Sequence, residues 1–179
     1  MIGLKRGKVQ LKQYNPKWEE LFKYESRLIS SAISNLLVDI QHIGSTAIPN
    51  IVAKPIIDIA GAIDSLENIA KIIVPLYGIG YTYRGEHGIP GRHLFVKGGE
   101  GYRTHHFHVM QKDHYEWKKH ILFREYMKEH PQEAKQYSEL KQKLFIKYGN
   151  DREKYTDSKS DFIQTIIEKA KKKYQSYSL

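Results

Sequence analysis

A glycine-serine turn lies between two short apolar runs, the second of which ends on a carboxylate, in His42-Ile-Gly-Ser-Thr-Ala-Ile-Pro-Asn-Ile-Val-Ala-Lys-Pro-Ile-Ile-Asp-Ile-Ala. This layout suits phosphate handling. Gly44 permits a tight turn, and the backbone N–H groups and hydroxyls of Ser45 and Thr46 can then face an anion. Asp58, on the neighbouring strand, is placed to give an oxygen ligand to a divalent cation. A carboxylate among apolar neighbours is costly unless paired, hydrogen-bonded or metal-bound, so Asp58 requires a partner. The plainer alternatives are that it caps a turn or pairs with Lys54 or an arginine.

A second chemical signal is Thr104-His-His-Phe-His-Val-Met110. As a strand it puts Thr104, His106, His108 and Met110 on one face and His105, Phe107 and Val109 on the other. His106 and His108 then project together as a metal or phosphate site, since neutral imidazole ligates metals and imidazolium grips anions. Hydrogen bonding of these rings to core carbonyls is the competing reading. Arg84, Arg92, Lys97 and Arg103 fall in the same strand-rich segment, interleaved with His87 and His93, and charge-assisted contacts from such groups suit a polyphosphate tail.

The elements that would position these residues follow from periodicity. Asn15-Pro16 reads as a helix start, followed by Leu21, Phe22, Leu28, Ile29, Ala32, Ile33, Leu36 and Leu37 at helical spacing. Residues 38–43 and 56–63 read as strands flanking the glycine-serine loop. Ser65 opens a helix that Gly78 and Gly80 end. Residues 81–84, 93–97 and 104–110 read as three short strands of an antiparallel meander. From Tyr115 the pattern is helical, with helices through 120–127, over 131–148 closed by Gly149-Asn150, and over 160–174. The chain is therefore expected to be one α/β (α+β) domain over residues 1–179, with a core at 8–112 and a helical extension at 113–179.

Composition narrows the function. The 179 residues are 40% hydrophobic and 27% charged, as in a globular protein. The absence of cysteine rules out thiolate nucleophiles and leaves oxygen and imidazole as metal donors. No apolar run approaches the roughly 18 residues that cross a bilayer, and Met1-Ile-Gly-Leu-Lys-Arg lacks a signal-peptide core, so a cytoplasmic location without a membrane partner is expected. The net charge of +9 favours anionic partners. Much of it sits on lysine-rich C-terminal helices, including Lys171, Lys172 and Lys173, and is read as solvated surface rather than a nucleic-acid footprint. Oligomeric state is left open.

Taken together, His42-Ile-Gly-Ser-Thr-Ala-Ile-Pro, Lys54-Pro-Ile-Ile-Asp-Ile, Arg92 with Phe95 and Lys97, Thr104-His-His-Phe-His-Val, Phe123-Arg-Glu-Tyr with His130-Pro131, and Tyr155 with Lys159 and Phe162-Ile163 resemble the GrpB family over about residues 8–170. That family is placed in the nucleotidyltransferase superfamily with a polymerase β-like fold. The resemblance implies a mixed twisted sheet with helices packed behind it and a phosphate cradle at Gly44, Ser45 and Thr46. It further implies metal-dependent transfer of a nucleotidyl group from a nucleoside triphosphate to an acceptor hydroxyl. Asp58 would be the catalytic carboxylate. Asp58, His106 and His108 would hold the metal, and Lys54, Arg92, Lys97 and Arg103 would neutralise phosphate. The sequence departs from the superfamily pattern of two carboxylates one residue apart, because the counterpart of the first is Ile56. One carboxylate with two imidazoles suits Mn²⁺ or Zn²⁺ better than Mg²⁺. A non-catalytic nucleotide- or anion-binding module with a degenerate site is the alternative.

Overall fold

A computed structural model describes residues 2–5, 7–99 and 101–175. Residues 176–179 of the expected extension lie outside the described residues. Asn15 Oδ1 accepts the Lys17 N–H at 3.0 Å and starts α1 (Lys17–Ile33). The helix ends four residues earlier than the apolar spacing predicts. Leu36 and Leu37 instead lie beyond it, yet still pack against the core.

Strands β2 (Asp39–Ile43), β3 (Ile57–Ile63), β4 (Tyr81–Tyr83), β5 (His93–Lys97) and β7 (His105–Gln111) form one mixed sheet in the order β2-β3-β7-β5-β4. The predicted meander is present as β4-β5-β7, all antiparallel. The β3-β7 pair is parallel, with Asp58 opposite His106 and Ala60 opposite His108. A parallel pair needs a long crossover, here the 41 residues that include α2 (Ile69–Gly78), so no local signal announces it. A separate two-stranded ribbon joins β1 (Leu4–Lys5) to β6 (Tyr102–Arg103).

Alternation along β3 and β7 sorts the two faces of the sheet. Ile57, Ile59, Ile63, Phe107 and Val109 point to the side covered by α1 and α2, where they meet Trp18, Ile29, Ile33, Ile72 and Leu76. Each such fully buried aliphatic or aromatic side chain is worth roughly 1.5–3 kcal/mol, so this layer carries the sheet. The opposite face presents Asp58, Ala60, Ala62, His106, His108 and Met110. Helix α3 (Tyr115–Glu129) covers one end of it by packing Trp117 on Ile43, Ala60, Ala62 and Met110. The two alanines give that helix room.

Helices α4 (Pro131–Tyr148), α5 (Arg152–Asp157) and α6 (Ser160–Gln175) complete the chain, and α5 is not foreseen by the sequence pattern. They bury Tyr137, Ile166, Ile167 and Ala170 with Phe123 and Met127, and this cluster also takes in Ile48 and Ile51 from the loop after β2. A smaller cluster joins Val9, Leu144 and Tyr155. The glycine-serine loop is thereby clamped between the sheet and the helical extension. Among the described residues no helix is long and apolar enough to cross a membrane.

Candidate active site

The β3-β7 register makes Asp58 and His106 neighbours, with Asp58 Oδ1 2.9 Å from His106 Nδ1. Burial alone would raise the Asp58 carboxyl. The hydrogen bond from His106 and the fields of His106, His108 and His120 outweigh it and hold the group below the usual carboxylate range. An ionised carboxylate accepts only, so His106 donates from Nδ1. Asp58, His106 and His108 each offer a donor atom, and these lie within 4.8 Å of one another.

Gly44 sits against this pair. Its φ of 69° and ψ of −171° belong to a region that only glycine adopts readily, and a Cβ built there would lie 2.6 Å from Asp58 Oδ2. The predicted turn is therefore real, and it presses on the carboxylate. Ser45 begins the 3₁₀ turn Ser45–Ala47, and its Oγ lies 3.1 Å from Lys141 Nζ.

His108 is held differently. Arg92 Nη1 lies 3.0 Å from His108 Nδ1, while Arg92 Nη2 donates to the carbonyls of Glu86 and His87. Because guanidinium only donates, His108 Nδ1 is the acceptor and the ring carries its proton on Nε2. Burial, then the neighbouring His120, keeps the imidazolium form of His108 strongly disfavoured. A ligating histidine instead donates its second ring nitrogen outward. The Arg92 contact and metal ligation by neutral His108 are thus mutually exclusive. His120 completes the row, 5.9 Å from His108 between ring centroids, with its Nε2 3.6 Å from buried Glu116.

Beside Asp58 opens a cleft of about 210 Å³ with a cationic wall of Lys5, Lys8, Lys54, Arg103, Arg152 and Lys159. Lys54 and Lys159 sit over the buried Tyr155 ring at 4.5 and 4.6 Å from its centroid. Burial, then the Lys159 and Arg152 charges, lowers Lys54 to about 7. Burial, opposed by Asp58, lowers Lys159 to about 8. Arg103 Nη1 donates to the Gly99 and Tyr102 carbonyls. Lys141, 2% exposed, donates to the Val52 carbonyl behind the loop. Burial, then Lys159, holds it well below the usual lysine range.

Of the expected phosphate ligands, Lys54 and Arg103 line the cleft, whereas Gly44 and Ser45 lie beside it, Arg92 is tied to His108 and the Glu86 and His87 carbonyls, and Thr46 and Lys97 are turned away. Thr46 is buried, with its hydroxyl 3.0 Å from Nε2 of His42, a ring stacked on Phe22 and 3.3 Å from Glu19. Lys97 belongs to the other face of the sheet, where it donates to buried Glu25 at 2.7 Å. The period-2 rule explains this, since in β5 Lys97 lies opposite His105 and not His106. Lys97→Met should cost about 3 kcal/mol by stranding the Glu25 carboxylate while leaving ligand affinity in the cleft unchanged. Urea unfolding and calorimetry on the one variant check both halves. Arg152, Lys141 and His120 escaped sequence reasoning. For Lys141 a signal existed, because it falls on the buried α4 stripe of Ala134, Tyr137, Ser138 and Leu144.

The overall architecture is shared with a solved relative. The crystal structure of conserved protein GrpB from Enterococcus faecalis aligns with a TM-score of 0.87 and 36% identity, over 93% of this chain and 99% of that one. The chain belongs to the GrpB family, whose model, described as GrpB protein, matches residues 8–169. It is 36% identical to glutamate-rich protein GrpB of Alkalihalophilus pseudofirmus, covering 93% of this chain and 98% of that protein. It is 39% identical to UPF0157 protein YqkA of Bacillus subtilis over 93% of this chain, and spans 48% of that longer protein.

Proposed function

We propose that the cleft binds a nucleoside triphosphate with a divalent cation and that the protein is a nucleotidyltransferase-like enzyme working in the cytoplasm. The observation that carries this reading is the convergence of one ionised carboxylate, Asp58, with a wall of six cationic side chains. Polyphosphate oxygens are met by Lys54, Arg103, Arg152 and Lys159. Asp58 and His106 share a cation once it displaces the Nδ1 proton that joins them, and His108 adds a third donor once Arg92 releases its Nδ1. Mn²⁺ or Zn²⁺ matches these donors better than Mg²⁺; when bound, the metal supplies charge neutralisation on the phosphates.

A second reading is favoured by Ile56, which lines the cleft where the superfamily pattern has its first carboxylate. On that reading the protein binds nucleotide without turnover. Pyrophosphate release and calorimetric binding, each with Mn²⁺ and with wild type and Asp58→Asn, separate the two. Release above background that falls at least 100-fold in the variant supports the enzyme. Saturable binding weakened at least tenfold in the variant, with no release over hours, supports the binding module. Binding unaffected by Asp58→Asn, or no binding at all, overturns both.

A further inference from the structure

Resting on the triphosphate reading of the cleft, we infer that the cleft recognises a chain of phosphates and does not read the base, so that inorganic triphosphate is as good a ligand as any nucleoside triphosphate. A base is read by a ring that stacks on it, by amide groups that pair with its edge, or by an arginine, and of the two arginines here Arg103 is committed to the Gly99 and Tyr102 carbonyls while Arg152 stands among the phosphate-binding cations. Among the described residues that line the cleft there is no aromatic ring other than the His106 imidazole, which is engaged with Asp58, and no asparagine or glutamine. Tyr155, the ring beneath the wall, is 1% exposed and carries the Lys54 and Lys159 ammonium groups over it. The lining is instead built for charge. Six cations less the one carboxylate of Asp58 leave an excess of five positive charges when all are protonated. These cations come from the N-terminal ribbon, the Lys54-Pro55 turn, β6 and the region of α5, so they surround a ligand from several directions. That arrangement follows an extended polyanion and rewards each added phosphate.

The test is calorimetric titration of the full chain, in one Mn²⁺ buffer, with ATP, GTP, CTP, UTP and inorganic triphosphate, and with adenosine as control. The five phosphate ligands are expected to agree in Kd within about threefold, and adenosine to give no heat. Arg152→Ala, at an exposed position, should weaken all five by the same factor, roughly tenfold for one lost charge-assisted contact. A preference above tenfold for one base, inorganic triphosphate binding more than tenfold weaker than ATP, or an Arg152→Ala effect confined to some ligands overturns this inference alone. Failure of all five ligands to bind overturns it together with the triphosphate reading.

Discussion

Gly44→Ala is expected to cost roughly 3 kcal/mol or more and to weaken cleft ligands at least 100-fold. Two effects act together. The backbone at φ 69° and ψ −171° lies where a side chain is strained by about 1–3 kcal/mol. The new methyl would also lie 2.6 Å from Asp58 Oδ2 and 3.0 Å from Asp58 Cβ. Asp58 has little freedom to retreat, because its strand is paired on both sides and its Oδ1 is held by His106. Overpacking of this kind adds about 1–3 kcal/mol and moves either the turn or the carboxylate. Urea unfolding measures the first effect and calorimetry with triphosphate the second. A variant with wild-type stability and affinity would show that the close approach of turn and carboxylate is unimportant.

Conformational stability of the free protein should rise with pH from about 7 to about 10. Lys54, at about 7, and Lys159, at about 8, are depressed from the usual 10.5 mainly by burial, and Lys141 is depressed further. In that window the unfolded chain binds more protons than the folded one, so unfolding becomes less favourable as pH rises, by up to about 1.4 kcal/mol per pH unit for each lysine. Buried tyrosines act oppositely at higher pH. Burial raises Tyr137 to about 12 and raises Tyr155 as well, so their contribution is complete below pH 10 and is lost above it. The maximum therefore falls near pH 10, well above neutrality. Unfolding free energies from urea titrations at pH 7, 8, 9 and 10 test this, and a flat or falling series from 7 to 9 contradicts it. A polyanion in the cleft should flatten the rise, because it favours protonated Lys54 and Lys159 and stabilises the folded state most at the lower pH.

Most of the elements were legible because they obey simple periods. The alternation over residues 104–110 placed His106 and His108 on one face, and the glycine-serine turn located the approach to Asp58. What escaped was non-local. Nothing in a single strand announces that β3 and β7 run side by side and in parallel, and that pairing is what joins Asp58 to His106. Charge at strand spacing also misled, because Lys97 shares its segment with Arg92 and Arg103 but projects with His105 toward Glu25. Thr46 is adjacent to Ser45, yet the 3₁₀ turn sends its hydroxyl to His42. Arg152 and Lys141 come from helices whose surfaces read as ordinary amphipathic faces, and only packing of the extension brings them beside the loop.

Pulsed electron paramagnetic resonance of Mn²⁺ added with inorganic triphosphate tests the account most directly, since it reads nitrogen and phosphorus nuclei around one cation at once. Couplings to both ¹⁴N of imidazole and ³¹P are expected with the wild type, with the ¹⁴N signal lost in Asp58→Asn and His106→Gln. Phosphorus couplings without nitrogen, or spectra unchanged by both substitutions, would contradict a cation held jointly by the Asp58-His106 pair and the phosphate chain.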